Sequence, residues 1–339
     1  MKQVYIRKAY DLVVEEVKDI VPKKGEAVVK VEACGICGTD VHSYEGKAIF
    51  PKYPFHPGHE VAGTIYSLAE HSDKYNVGEK VIIDPLYPCE ECEFCRVNKQ
   101  NHCLNNKTIG IVGPGGFSDY IVVPIKNLYK FYNIDFTEAT FAEPLSTVIY
   151  GIEKVEIGYG DKVLIQGAGP IGLLHLQMSI ISGSSMVVMT DLNLEKIKKA
   201  EKMGANKALL ASDPKLEEQL FKYAPYGYDV VIDCTGSSIA VEKAFKFIKN
   251  TGSLLVFGVC PQDDKITINP YEIFRREIKI VGSFALKKTM AKAVKLLDHR
   301  VINAKDLIAD IVARREVEPS LINIKEGGVN GKIIVIPRD

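Results

Sequence analysis

The 339-residue sequence predicts an α/β fold in which a β-rich part is joined to a doubly wound parallel sheet. Three observations carry this expectation. The length favours about two domains, the first 150 residues hold short strand-like pieces punctuated by Gly and Pro, and from about residue 161 strands and helices alternate.

In the first part, segments 4–8, 27–34, 59–68, 80–87 and 117–124 are rich in Val, Ile and Tyr and bounded by turn residues, which reads as short strands. From 161 onward, strand patterns at 162–166, 186–191, 207–211, 229–234, 252–258 and 278–284 are separated by helical patterns at 170–181, 194–204, 214–224 and 239–249. Parallel strands need crossovers of about this length, so the alternation implies a sheet with helices on both faces. After 285, a helical pattern at 287–300 leads through mixed segments to a closing strand at 331–337.

Composition narrows the function classes. Forty-three Lys plus Arg balance 43 Asp plus Glu, so no global basic field for nucleic acid exists. The apolar stretch 163–189 is broken by Gln166, Gly167, Gly169, Pro170 and His175, whereas a membrane helix needs about 20 mostly unbroken apolar residues. Met1 to Tyr10 has no apolar core of signal-peptide length, and the chain is expected to be cytoplasmic. In that reducing setting eight cysteines point to metal or catalysis rather than to disulfides.

Gly167, Gly169 and Gly172 form G-x-G-x-x-G between the strand pattern at 162–166 and a helix opened by Pro170 and Ile171. The first glycine permits the tight turn, the second lets backbone approach a pyrophosphate, and the third lets helix and strand pack closely. The next strand ends in Asp191, whose carboxylate suits the ribose hydroxyls and repels a 2′-phosphate, which favours NAD(H) over NADP(H). Lys196 and Lys198 stand near enough to moderate that preference. Farther upstream, Cys89, Cys92, Cys95 and Cys103 give C-x2-C-x2-C-x7-C on a short segment with no core of its own. Four thiolates so spaced suit a closed, structural tetrahedral zinc site, and the final spacing disfavours an iron–sulfur cluster. His102, beside Cys103, reads as a surface residue.

A second set of metal-ligand types is dispersed: Cys37 in GICGTDVH, His59 and Glu60 in PGHEVAG, and Glu143 in FAEPLST. With the cysteine lobe and GAGPIG, in this order, these motifs make the chain resemble the zinc-dependent medium-chain alcohol dehydrogenases over essentially its whole length. The closest branch is the polyol dehydrogenases, with threonine dehydrogenases nearby. The pointer is Glu143, which stands where animal and plant alcohol dehydrogenases have a Cys ligand.

The resemblance implies a GroES-like β-rich catalytic domain from residues 1–150 and 286–339, and a Rossmann NAD-binding domain from 151–285, with the active site in the cleft. It further implies two zinc ions per chain. Cys37 and His59 would be catalytic zinc ligands, with Glu60 and Glu143 completing the shell directly or through water. Asp40 would orient the ligand imidazole. Thr39 would pass the alcohol proton toward the nicotinamide ribose, His42 would release it to solvent, and Thr147 would sit against the nicotinamide ring. Zinc with an open position favours the alkoxide from which hydride leaves to NAD⁺. A carboxylate in place of a thiolate makes the metal harder, which suits chelation by two adjacent hydroxyls.

The expected partners are a small alcohol or polyol and further copies of the chain, as a dimer or tetramer, with neither nucleic acid nor membrane. Ala285-Leu286 and Ser43 depart from the animal sorbitol dehydrogenases, which puts sorbitol itself in doubt. Lys287, Lys288 and Lys292 offer charge for a sugar phosphate, though exposed charge runs are usually only solvated. Threonine dehydrogenase is the same-class alternative. A zincless or purely binding member of the fold is the alternative from another class, and the intact Cys37, His59, Glu60 and Glu143 set argues against it.

Overall fold

The strand Glu26–Gly35 organises the first of the two units into which the chain divides, Met1–Ser146 with Leu286–Asp339. The structure, a computed structural model, describes residues 1–18, 20–47 and 53–338. Ala27, Val28, Val29, Val31, Ala33 and Cys34 are all buried, the near-continuous apolar run of a strand covered on both faces. One edge pairs antiparallel with Glu60–Leu68; the other pairs with Tyr120–Pro124 at its start and with Lys332–Ile336 at its end. Lys80–Ile83 and Leu128–Lys130 extend the sheet on one side and Ile308–Ala313 on the other, giving seven strands. The chain's last strand therefore lies beside one of its first.

Several elements differ from the sequence expectation. The strand from Lys80 stops at Ile83, before Asp84 and Pro85; the strand expected at 117–124 begins only at Tyr120, and a further short strand, Leu128–Lys130, follows it. Reading the first 150 residues as strands misses the one-turn helices Glu93–Arg96 and Phe136–Ala139 and two longer helices, Gly38–Tyr44 and Ala142–Val155. In Ala142–Val155, Leu145, Val148, Ile149, Ile152 and Val155 are buried at helical spacing. Also unexpected are the helices Pro270–Arg276 and Val317–Lys325 and the edge strand Ile308–Ala313, which lacks a clear alternation.

The second unit, Thr147–Ala285, carries a six-stranded sheet in the order Lys207–Leu210, Met186–Asp191, Lys162–Gln166, Tyr228–Asp233, Ile248–Val256, Lys279–Gly282. All neighbouring pairs are parallel. The first strand is central and the chain winds outward from it in both directions, so the strand order reverses at its C-terminal end, where open α/β sheets bind ligands. Leu164, Val188, Val231 and Leu254 form the core. The helix Pro170–Ile181 keeps its expected bounds. No helix among the described residues is long and apolar enough to cross a membrane.

The helix Pro170–Ile181 buries His175 completely, edge-on to Phe257 at 4.5 Å between ring centroids, with neither ring nitrogen hydrogen-bonded among the described residues. Burial pushes the imidazole down to about 3. The unfolded chain, by contrast, takes up this proton below about pH 6.5, so the stability tied to neutral His175 is complete above that pH and is lost as pH falls toward 3. In His175→Leu, the loss of unfolding free energy between pH 7 and pH 5 is expected to shrink by about 2 kcal/mol. Denaturant titrations at the two pH values check this, and an unchanged difference would contradict it.

Candidate metal centres and dinucleotide site

Two chain segments at the ends of neighbouring strands in the first unit build one cluster. Cys37 follows the strand Glu26–Gly35 and caps the helix Gly38–Tyr44; His59 precedes, and Glu60 opens, the neighbouring strand. The donor atoms of Cys37, His59 and Glu60 all lie within 4.8 Å of one another. Glu143, in the first turn of Ala142–Val155, is buried but is not among the three whose donors converge. Its charge nonetheless reaches His59.

Burial and charge act against each other in the cluster. Burial pushes the His59 imidazole down, but the charges of Cys37, Asp40 and Glu143 outweigh it and hold the ring well above its ordinary pKa. Glu143 is pushed up to about 7, first by burial and then by the like charges of Glu60 and Asp84, against the pull of His59 and Lys332. Two buried polar atoms, His59 Nδ1 and Glu60 Oε2, have no hydrogen-bond partner among the described residues. Orphaned buried donors and acceptors are costly unless a ligand or ion satisfies them. A sulfur, an imidazole and a carboxylate are the donor types that zinc accepts in catalytic sites.

Asp40 works differently from the expectation that it orients the imidazole. Its Oδ1 is 3.8 Å from His59 Nδ1, too far for a hydrogen bond. Its oxygens instead accept the backbone N–H groups of Cys37 at 2.9 Å and Gly58 at 3.1 Å. Asp40 thereby ties together the two loops that carry the sulfur and the imidazole. Thr39 Oγ1 accepts from the Cys37 thiol at 3.8 Å, and His42, exposed on the same helix, lies 3.9 Å from Glu45. Thr147 lies one helical turn beyond Glu143 and is half-buried.

Sequence reasoning overlooked Lys332. It opens the last strand, is 7% exposed, and sets Nζ 2.5 Å from Glu60 Oε1. Its one local signal is a lysine heading the apolar run Ile333 to Ile336, which reads just as well as a solvated strand end.

Cys89, Cys92, Cys95 and Cys103 also bring their sulfurs within 4.8 Å of one another. The Cys89 N–H donates to Cys103 Sγ at 3.2 Å. Backbone N–H groups of Glu91 and Cys92 lower the Cys89 thiol to about 6, which favours the thiolate that metals bind. His102 is exposed. Cys95→Ser is expected to remove about one metal ion per chain and to cost at least about 2 kcal/mol of stability. Metal analysis with thermal unfolding checks this, and an unchanged melting profile would contradict it.

In the second unit the three glycines meet different constraints. Gly167 has φ +96°, the left-handed region that favours glycine. A Cβ on Gly172 would lie 1.9 Å from the Gly167 carbonyl oxygen, whereas a Cβ on Gly169, the residue capping the helix, would meet only open space. Pro170, which has no N–H, opens that helix, and the N–H groups of Ile171 and Gly172 in its first turn are free of intrahelical partners and suit an anion. Asp191 accepts the Ala168 N–H at 2.8 Å and the Asn193 N–H at 2.9 Å. A carboxylate has about four lone-pair sites, so it can still accept from a diol. Lys198 is paired with Glu195 at 2.7 Å.

The alcohol dehydrogenase GroES-like domain model matches residues 23–133, and the zinc-binding dehydrogenase model matches residues 170–299. D-altritol 5-dehydrogenase of Agrobacterium fabrum strain C58 is 35% identical over 290 residues, 83% of each chain. D-arabinitol dehydrogenase 1 of Uromyces fabae is 32% identical over 300 residues, 87% of this chain and 86% of its own. Among solved structures, a protein from Sinorhizobium meliloti 1021 described as a zinc-binding dehydrogenase and bound to NADP superposes with TM-score 0.93, at 30% identity over 99% of both chains. One from Escherichia coli CFT073, described as a short chain alcohol dehydrogenase and complexed with NADH, gives TM-score 0.92 at 27% identity over 99% of both.

Proposed function

The chain belongs to the zinc-binding alcohol dehydrogenase family with a GroES-like domain, among relatives named for polyols, and we propose that it oxidises a secondary hydroxyl of a polyol or sugar alcohol, free or phosphorylated, with NAD⁺ as acceptor and zinc as the catalytic metal. The observation that carries this reading is the convergence of the Cys37, His59 and Glu60 donors within 4.8 Å. Cys37, His59 and Glu60 hold the catalytic ion, with Glu143 completing the shell, directly or through a water. The four-cysteine lobe holds a second, structural ion. Residues 1–150 and 286–339 form the catalytic domain, and 151–285 the cofactor domain.

Zinc bound there supplies a Lewis acid that eases loss of the alcohol proton. The chain's own groups then handle that proton. Thr39 Oγ1, which lies 3.8 Å from Cys37 Sγ, accepts it and hands it toward the cofactor ribose, and exposed His42 releases it to solvent. Gly167, Gly169, Pro170, Ile171 and Gly172 seat the pyrophosphate, Asp191 holds the adenosine ribose, and Thr147 supports the nicotinamide. The carboxylate donors Glu60 and Glu143 favour a substrate with adjacent hydroxyls. We read the protein as a cytoplasmic dimer or tetramer, a point that sedimentation measures.

The test is metal analysis beside steady-state rates with both cofactors. About two zinc ions per chain are expected, and kcat/KM for NAD⁺ should exceed that for NADP⁺ by at least about a hundredfold, because Asp191 repels a 2′-phosphate. A single ion per chain, or equal rates with both cofactors, would count against the respective part.

A further inference from the structure

Glu60 has a second suitor besides the metal. The Lys332 ammonium and the Glu60 carboxylate, 7% and 1% exposed, sit 2.5 Å apart. Taking both charges out of water costs several kcal/mol each, and apolar residues of similar size often serve stability as well, so the pair needs a reason beyond stability. The strand register supplies the setting. Gly35 lies opposite Glu60 on one side and opposite Ile334 on the other. Side chains alternate along a strand, so Lys332 shares the face of Ile334 and reaches Glu60 across Gly35. A Cβ on Gly35 would lie 2.0 Å from Glu60 Oε2. The missing side chain is therefore the space in which the carboxylate rests.

The two oxygens of Glu60 have unequal fates. Oε1 accepts from Lys332 Nζ, whereas Oε2 is buried without a hydrogen-bond partner among the described residues. Oε2 is thus the oxygen left to join Cys37 and His59. A carboxylate with both oxygens free can chelate a metal and fill the position that a catalytic site must keep open. We propose that Lys332 is a positioning residue that restricts Glu60 to ligation through one oxygen and so keeps a coordination position open for the substrate hydroxyl. This rests on the reading of Cys37, His59 and Glu60 as a metal site.

Cobalt(II) substitution tests it without turnover, because four-coordinate cobalt absorbs visible light far more strongly than six-coordinate cobalt. The band of this site is the one that wild type has and Cys37→Ser lacks. In Lys332→Met, Glu60 is free to chelate, and the band is expected to weaken severalfold. An unchanged band in the folded variant overturns the proposal, since a lysine that only balances charge would alter stability and not coordination. Should metal-free Lys332→Met fail to fold, Lys332→Arg decides instead. Its planar fork can take both Glu60 oxygens, so cobalt affinity at this site, measured by chelator competition, should drop about tenfold or more. Equal or tighter binding would overturn the proposal. If wild type shows no band that Cys37→Ser removes, the metal-site reading itself fails and the proposal falls with it.

Discussion

Cys37→Ser is expected to lower turnover by roughly a thousandfold or more, because a catalytic metal contributes several kcal/mol of charge stabilisation and each 1.36 kcal/mol is about tenfold in rate. The substitution separates chemistry from folding. Cys37 caps the helix Gly38–Tyr44, and serine is a favoured cap, so the helix should persist. The Asp40 carboxylate still receives the backbone N–H of residue 37, a contact that does not involve the side chain. What is lost is the sulfur donor, since a serine hydroxyl stays neutral where a thiol can ionise. The glycine turn and Asp191 belong to the other unit, Thr147–Ala285, and NADH affinity by calorimetric titration should be unchanged. Zinc content should fall from about two ions to about one. Full activity in Cys37→Ser would remove the catalytic assignment.

Gly172→Ala is expected to weaken dinucleotide binding about a hundredfold and to cost about 2–3 kcal/mol of stability, the usual range for forcing extra volume into packed structure. The added Cβ would stand 1.9 Å from the Gly167 carbonyl oxygen and 2.9 Å from its carbon, both backbone atoms that no rotamer change can move. Either the helix Pro170–Ile181 withdraws from the strand or the turn opens, and both displace the N–H groups that would face the pyrophosphate. Gly169→Ala supplies the contrast, because its Cβ meets nothing within 4 Å. It should leave the melting temperature unchanged and still weaken NADH about tenfold, because the methyl blocks close approach of the phosphates. Wild-type affinity in Gly169→Ala would mean that the pyrophosphate lies elsewhere.

These sites differ in how far local sequence discloses them. The glycine turn is legible because strand, turn and helix are contiguous, and the helix Pro170–Ile181 begins and ends where its pattern does. The four-cysteine lobe is legible for the same reason: all its donors fall within residues 89–103. Cys37 stands more than twenty residues before the adjacent pair His59 and Glu60, and each taken singly is an ordinary residue. Only the resemblance groups them, and it groups Glu143 with them, whereas the geometry leaves Glu143 outside the converging three. Lys332 was illegible because its partner is fixed by sheet register, which pairs the final strand with Glu26–Gly35. The helix Ala142–Val155 had a readable period, obscured by the strand-like segments before it. Asp40 shows a further limit, since sequence suggests a carboxylate near the imidazole but not that its oxygens go to backbone N–H groups.

The account turns on a metal-assisted oxidation of a polyol, and the most direct measurement is NADH formation by the zinc-loaded protein across a panel of polyols, polyol phosphates, butanediol and threonine. The account predicts turnover with at least one vicinal diol or polyol, abolished by a chelator that strips the Cys37 site and restored by zinc. No turnover on any vicinal diol, from protein that binds zinc and NADH, would contradict it.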